Sequence, residues 1–362
     1  IKDDDKLIEE VINLIDKPYI LECSFDKKFL SIPKEILVLT MQSHQKYFPL
    51  FSKSGEITNE FLVIANNKDK QGLIKIGNER VIEARLSDAE FFWNKDKSQN
   101  LVKKISELKL MNFFKGLGTY FDKVQRMRKL GALISDELLI SKEKVELSAS
   151  ICKTDLMSES VGEFPELQGV MGGYISQAQG FDKDIVDAIK EQYLPIGLDS
   201  AIPKKPYNIT LSITDKIDTL VGFFGVNEKP SSSKDPYALR RTALGIIRII
   251  IENKRDLKIS DLITYSSNIY LDQGFNFSNN TLQKDILNFL KDRFKYYLKE
   301  KNIRHDIIEA TSNVFNLNTI STVFEKAKSL NKVINKTTGE DIVSSYKRAS
   351  NILHSEVKDI NK

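Results

Sequence analysis

Apolar side chains follow two different spacings in the first hundred residues. Alternating positions at 20–24 predict a strand, and two apolar segments on either side of Gly55 predict a β-hairpin. Three other segments have the three- and four-residue spacing of amphipathic helices, namely 5–16, 32–44 and 77–96. Because both spacings occur in one stretch, we expect a mixed α/β domain over residues 1–100.

From Leu101 to the end of the chain, the helical spacing dominates. Loops rich in glycine, proline and serine interrupt it, as expected between successive helices. The sequence therefore predicts an α+β protein that is mainly α-helical. We divide it into a mixed domain at 1–100, a helical domain at 101–256 and a helical body at 257–362.

Composition adds limits but no function. The chain has 362 residues, 29% of them charged, and a net charge of +4, which permits nucleic-acid binding without requiring it. Its two cysteines lie far apart, so we expect neither a disulfide framework nor a zinc site, and a reducing cytoplasmic location. The longest apolar run, 246–251, is interrupted by Arg248 and is too short to span a bilayer, so no membrane partner is expected. The chain starts at Ile1 rather than Met, and we expect it to be an internal fragment.

The most informative stretch is CKTDLMSESVGEFPELQGVMGG, at residues 152–173. It begins with helical spacing, breaks into a loop that contains a proline, and ends at a Gly-Gly pair. Its four carboxylates allow two interpretations: they bind a metal ion, or they organise the loop. These carboxylates are Asp155, Glu159, Glu163 and Glu166.

This stretch closely resembles the β subunit of the bacterial two-subunit glycyl-tRNA synthetase, in which a VGEFPELQG-like run follows a KADL-like helix. Four more phrases resemble the same family, in the expected order: MQSHQKYFPL, GNERVIEARLSDAEFFW, SSSKDPYALRRTALGIIRI and SSYKRASNIL. The resemblance implies a B3/4-like domain at 1–100, a degenerate HD-like domain at 101–256, and a helical body. It also implies that the body leads, through 344–353, into an anticodon-binding domain that is mostly absent here.

The resemblance implies a function as well. The β subunit of this family of α2β2 heterotetramers grips tRNA-Gly, and the α subunit catalyses the ATP-dependent attachment of glycine. ATP and magnesium are therefore expected on the α subunit, and no cofactor or catalytic residue is expected in this chain. In agreement, the sequence has no phosphate-binding loop, dinucleotide-binding turn or nucleophile elbow. We expect the fragment alone to be inactive.

Two aspartates, Asp155 and the Asp215 of TDKIDTL, resemble positions of the HD superfamily of metal-dependent phosphohydrolases. Such an enzyme needs imidazole ligands, but Thr154 stands where the family has histidine. None of the chain's three histidines lies between 101 and 255; they are His44, His305 and His354. We therefore expect a degenerate pocket without a metal ion, in which the aspartates tie helices together.

Basic residues within the matching phrases are the candidates for tRNA contact, because guanidinium and ammonium groups bind phosphate. The competing interpretation is ion pairing, for example with Glu79 and Glu83 on the 77–96 helix, or a chain that only joins subunits. Arg248 could also meet phosphate, and His44 is expected to be a structural hydrogen-bonding residue. The RNA-binding candidates are Lys46, Arg80, Arg85, Lys234, Arg240 and Arg241.

Overall fold

The computed structural model describes residues 5–277, 281–317, 319–334, 339, 341 and 344–351. Its helices, in chain order, are α1 (Asp5–Leu14), α2 (Lys34–Leu39), α3 (Leu73–Ser98), α4 (Leu101–Lys104), α5 (Tyr120–Leu138), α6 (Lys142–Ile151), α7 (Glu159–Glu163), α8 (Val170–Ala178), α9 (Lys183–Glu191), α10 (Pro206–Gly225), α11 (Leu239–Asn253), α12 (Ile259–Asp272), α13 (Leu282–Glu300), α14 (His305–Ser312) and α15 (Ile320–Ile334). Its strands are β1 (Tyr19–Ser24), β2 (Phe48–Phe51), β3 (Ile57–Ala65), β4 (Asn112–Phe114) and β5 (Gly118–Thr119).

The chain divides into two compact units. Unit 1 combines Ile1–Met111 with Leu147–Lys190, and unit 2 combines Asn112–Glu146 with Glu191–Lys362. The predicted fold class is confirmed, since a small antiparallel sheet near the start is followed by helices. The division of the sequence into three domains stays a prediction.

Unit 1 contains a three-stranded antiparallel sheet in the order β1-β3-β2. The predicted hairpin is β2 and β3, and its turn includes Gly55 at φ +82°, a conformation that glycine adopts readily. Alternate side chains of the strands point to opposite faces. One face supplies Phe61 and Val63 to the core, whereas Leu62 and Ile64 point to the opposite face, on which α1 packs.

The helices of unit 1 follow the predicted segments closely. α1 occupies the predicted 5–16 segment, and α3 contains the predicted 77–96 segment. The 32–44 segment begins as α2, but its last turn, Thr40–His44, has π-helical hydrogen bonding. Such turns are rare and often occur at functional sites.

Unit 2 is built around α10, which is buried along nearly its whole length. Helices α5, α11, α12 and α13 pack around it. Because α10 is apolar on almost every side, it suits a central position rather than a surface one. None of the described helices combines the length and the apolar character needed to cross a membrane.

Candidate functional site

The carboxylate of Asp155 caps the first turn of α8. Its Oδ2 atom accepts a hydrogen bond from the amide of Gly169 at 2.5 Å and another from the amide of Gly172 at 3.1 Å. Gly169 precedes the helix and has no side chain that could do this, so a residue 14 positions earlier supplies the acceptor. Asp155 is fully buried, and burial raises its pKa to about 6 although these amides and Lys153 act in the opposite direction.

The glycines of the motif are required by close packing. Gly169 has φ +81°, and a Cβ atom on Gly172 would lie 2.9 Å from Ile189 and 3.0 Å from the Asp155 carboxylate. A Cβ atom on Gly173 would lie 2.9 Å from the Cβ of Lys190. The two glycines thus let α8 approach α9 and let the Asp155 carboxylate reach the helix terminus.

Of the two interpretations of the carboxylates in this motif, organisation of the loop has the structural support. Glu159 pairs with Lys95 at 2.5 Å, and Glu163 and Glu166 are exposed to solvent. The hydroxyl of Thr154 donates to the backbone of Ile151 at 2.7 Å. The part of the chain that the structure describes contains no group of three or more His, Cys, Asp or Glu side chains placed to hold a metal ion.

A second buried carboxylate, which we did not identify from the sequence, also holds this motif. Asp96, near the end of α3, accepts hydrogen bonds from the amides of Glu159 and Ser160 at 3.0 and 2.8 Å. These amides belong to the first turn of α7, so Asp96 caps that helix as Asp155 caps α8. The sequence shows only that Asp96 stands at the end of the predicted 77–96 helix, and the structure alone shows that it is buried.

The π-helical turn belongs to MQSHQKYFPL, a second phrase that resembles the family, and it contacts the VGEFPELQG run within unit 1. The ring of His44 stacks on the ring of Phe164, which belongs to the VGEFPELQG run. Two residues later, Lys46 has φ +58°, which is costly for a residue with a side chain, and its amine pairs with Glu10 at 2.6 Å. The contact between His44 and Phe164 therefore joins MQSHQKYFPL to VGEFPELQG.

The two arginines of α3 do not form the ion pairs that competed with RNA contact. Arg80 and Arg85 are exposed, and within the described residues neither has an acidic side chain within 4 Å. Glu79 instead accepts a hydrogen bond from the amide of Ser24 at 2.8 Å. Both guanidinium groups are consequently open to solvent and to phosphate.

In unit 2, Asp215 belongs to a network of charges. Its carboxylate lies 3.2 Å from the amine of Lys123, which also lies 3.0 Å from Asp218. Lys123 is buried although it is charged, which is tolerable only because two carboxylates accompany it. Asp215 and Asp155 each have partners inside their own unit, and the degenerate HD-like pocket stays a prediction.

Asp218, another residue that we did not identify from the sequence, is the centre of this network. It accepts hydrogen bonds from Arg126 at 2.7 Å and from the hydroxyl of Tyr270 at 3.3 Å, and the guanidinium lies 3.8 Å from the centre of the Tyr270 ring. Burial acts to raise the pKa of Asp218, but the charges of Arg126 and Lys123 outweigh burial and lower it. The sequence signal that could have identified this network is a matching i, i+3 spacing, of Lys123 and Arg126 on one helix and of Asp215 and Asp218 on another.

The basic residues at the start of α11 differ in their environment. Asp235 caps the helix by accepting from the amides of Leu239 and Arg240 at 2.8 and 2.9 Å. The Arg240 guanidinium donates to the carbonyls of Ser231 and Ser232, so it stabilises the preceding loop. Lys234 and Arg241 are exposed, with no ion-pair partner among the described residues.

Arg248 has a structural environment rather than an exposed one. Its side chain is buried, pairs with Glu252 at 2.7 Å and donates to the carbonyls of Gly197 and Ser200. It therefore ties the loop before α10 to α11. The geometry separates the basic side chains into those engaged by the protein and those that face solvent, but it does not identify a ligand.

Comparison with known proteins gives the family. Residues 1–313 match the family model described as glycyl-tRNA synthetase beta subunit. The chain belongs to this family. Similar proteins named glycine--tRNA ligase beta subunit come from Rhodospirillum centenum (38% identical over 99% of this chain), Rickettsia canadensis (41% over 98%) and Listeria welshimeri (37% over 97%).

This chain spans about half the length of these relatives, since the match covers 50%, 51% and 52% of them, respectively. The resemblance seen in the sequence is thus confirmed at the level of the family. The final matching phrase, 344–353, extends past the described residues at 352 and 353, and His354 also lies outside them. The six RNA-binding candidates stay a prediction.

Proposed function

We propose that this chain binds tRNA-Gly and supports its glycylation by a glycyl-tRNA synthetase α subunit, as part of a cytoplasmic heterotetramer. The observation that carries the proposal is membership of the beta subunit family, with relatives that cover nearly the whole chain. In this proposal the α subunit supplies the ATP and magnesium chemistry. The chain positions the nucleic acid, which accelerates the reaction through orientation rather than through bond-making groups.

Among the six candidates, we favour as contact residues the exposed side chains that have no acidic partner in the described part of the chain. In unit 1 these are Arg80 and Arg85, and in unit 2 they are Lys234 and Arg241. An unpaired guanidinium can form two parallel hydrogen bonds to a phosphate without first breaking an ion pair. Contacts of this kind fix the position of the RNA and do not read its sequence.

The remaining two candidates are weaker. Arg240 already donates to two carbonyls, so binding phosphate would require it to leave the loop that it stabilises. Lys46 pairs with Glu10, but both side chains are partly exposed, and pairs of this kind contribute less than about 1 kcal/mol. Lys46 could therefore exchange Glu10 for a phosphate at little cost.

The experiment is glycylation kinetics with the α/β enzyme carrying Arg80→Ala, Arg85→Ala and Arg241→Ala in the β chain. We expect a several-fold increase in KM for tRNA-Gly, with KM for glycine and ATP unchanged, because only the RNA loses contacts. Arg128→Ala is the control, since Arg128 is partly exposed but pairs with Glu146. Unchanged kinetics in the triple variant would favour a chain that only joins subunits.

A further inference from the structure

One face of the small sheet in unit 1 carries an apolar groove of about 460 Å³. Helix α1 forms its wall with Val11 and Ile12, and the sheet forms its floor with Ile20, Leu62 and Ile64. Ile20 and Ile64 are directly paired across β1 and β3, so they present a continuous apolar surface. Almost no polar atom interrupts this groove.

The groove is only partly covered. Leu7, Val11 and Phe48 are buried in a small cluster between α1 and the sheet. In contrast, Ile12 is 66% exposed and Ile20 is 67% exposed. Apolar side chains that lie together at the rim of a concave surface mark a place where another element packs.

The edge of β1 beside this groove is also open at Ile20 and Glu22. Hydrogen-bonded positions alternate along an antiparallel pair, and the amide of Phe25 donates to the carbonyl of Asn59 in β3. The backbone groups of Ile20, Glu22 and Ser24 therefore face away from β3. The amide of Ser24 is satisfied by Glu79, whereas the described residues supply no partner strand for Ile20 and Glu22.

The opposite edge of the sheet is protected in a way that β1 is not. Strand β2 contains Pro49, which has no amide hydrogen to offer, and its pairing with β3 is irregular between Pro49 and Phe51. Proline and bulges are common devices that prevent a further strand from pairing at an edge. β1 has neither device, so its edge is suited to accept a strand.

We propose that an extended apolar segment of the beta subunit, from the half of the family's length that this chain does not span, pairs with β1. Its alternate side chains would fill the groove between α1 and the sheet. Three observations favour this occupant: an open edge, an adjoining apolar groove, and relatives about twice as long as this chain. Sheets usually have about five or six strands, so a three-stranded sheet with an unprotected edge is readily extended.

The test is the rate of maleimide labelling of Ile20→Cys in this 362-residue chain and in the full-length beta subunit. Both native cysteines, Cys23 and Cys152, are buried and give a low background. We expect labelling to be at least tenfold slower in the full-length protein. Leu73→Cys, on α3 and 63% exposed, is the control whose labelling rate should be equal in both proteins.

Hydrogen exchange of the Ile20 and Glu22 amides in the unmodified proteins gives a second measurement that needs no substitution. Slower exchange in the full-length protein supports the proposal. Equal labelling and equal exchange in the two proteins would overturn it. Protection that appears in the 362-residue chain alone as its concentration rises would also overturn it, because the occupant would then be a second copy.

Discussion

The imidazole ring of His44 lies 5.7 Å from the phenyl ring of Phe164, centre to centre, with 22° between the ring planes. These residues belong to two phrases that are 120 positions apart in sequence and that both resemble the same family. His44 is exposed and Phe164 is buried, so the imidazole covers one face of the phenyl ring. The contact joins the π-helical turn to the VGEFPELQG loop within unit 1.

We expect His44→Ala and Phe164→Leu each to destabilise unit 1, and their effects to be coupled by about 0.5–1.5 kcal/mol, the usual contribution of an aromatic pair. Urea unfolding followed by the fluorescence of Trp93, the chain's single tryptophan and a buried residue of unit 1, measures this. His305→Ala, at the exposed start of α14, is the control. Additive effects of the two substitutions would show that the rings do not interact energetically.

The close approach of α8 to α9 makes a prediction about glycines. Gly172→Ala and Gly173→Ala should each lower the free energy of unfolding by about 1–3 kcal/mol, because the new methyl group must displace packed atoms. Gly162→Ala, in α7, is the matched control, since a methyl group there meets nothing within 4 Å. It should be neutral or slightly stabilising. Equal effects at all three positions would contradict the packing described here.

The buried Asp155 carboxyl group predicts a pH dependence. Burial raises its pKa from 3.8 to about 6. A group with a raised pKa in the folded state contributes stability that is fully present below its unfolded pKa and is lost as the pH rises through the folded one. The stability of the wild type relative to Asp155→Asn should therefore fall between pH 4 and pH 7. A difference that is constant over this range would contradict a raised pKa.

Loss of a charge from the network of unit 2 should be costly. Asp218→Asn leaves Lys123 and Arg126 buried with less negative charge, and removing one partner of a buried pair usually costs about 3–5 kcal/mol. Asp215→Asn should cost less, because the side chain of Asp215 is 12% exposed, whereas that of Asp218 is fully buried and contacts both Lys123 and Arg126. Urea unfolding followed by circular dichroism measures both. A larger effect at Asp215 would mean that the centre of the network is misassigned.

Local patterns predicted the elements of this protein well, because helices and hairpins leave a periodic signal in the sequence. The hairpin around Gly55 and the helix that became α3 are examples. The partners of the buried carboxylates left no such signal. Asp96 and Asp218 act on residues 63 to 95 positions away, and only the tertiary structure brings them together.

For the candidate RNA contacts too, the sequence predicted one part and only the tertiary structure shows the other. Their residue types and the matching phrases identified them, but sequence spacing favoured ion pairs for Arg80 and Arg85 that the structure does not contain. Conversely, Arg248 lies on the same helix as Arg241 and is engaged with a loop 48 to 51 residues earlier. Exposure, which depends on the packing of the whole unit, decides which arginines can meet phosphate.

The most direct test of the proposed role is the binding of this chain to tRNA-Gly and to an unrelated tRNA over a series of salt concentrations. We predict tighter binding to tRNA-Gly, with affinity that falls as salt rises because phosphate contacts release counterions. The triple variant at Arg80, Arg85 and Arg241 should bind more weakly and show a shallower salt dependence. Binding that is absent, or equal for both tRNAs and unaffected by the three substitutions, would contradict the proposal and leave this chain a joining element of the beta subunit.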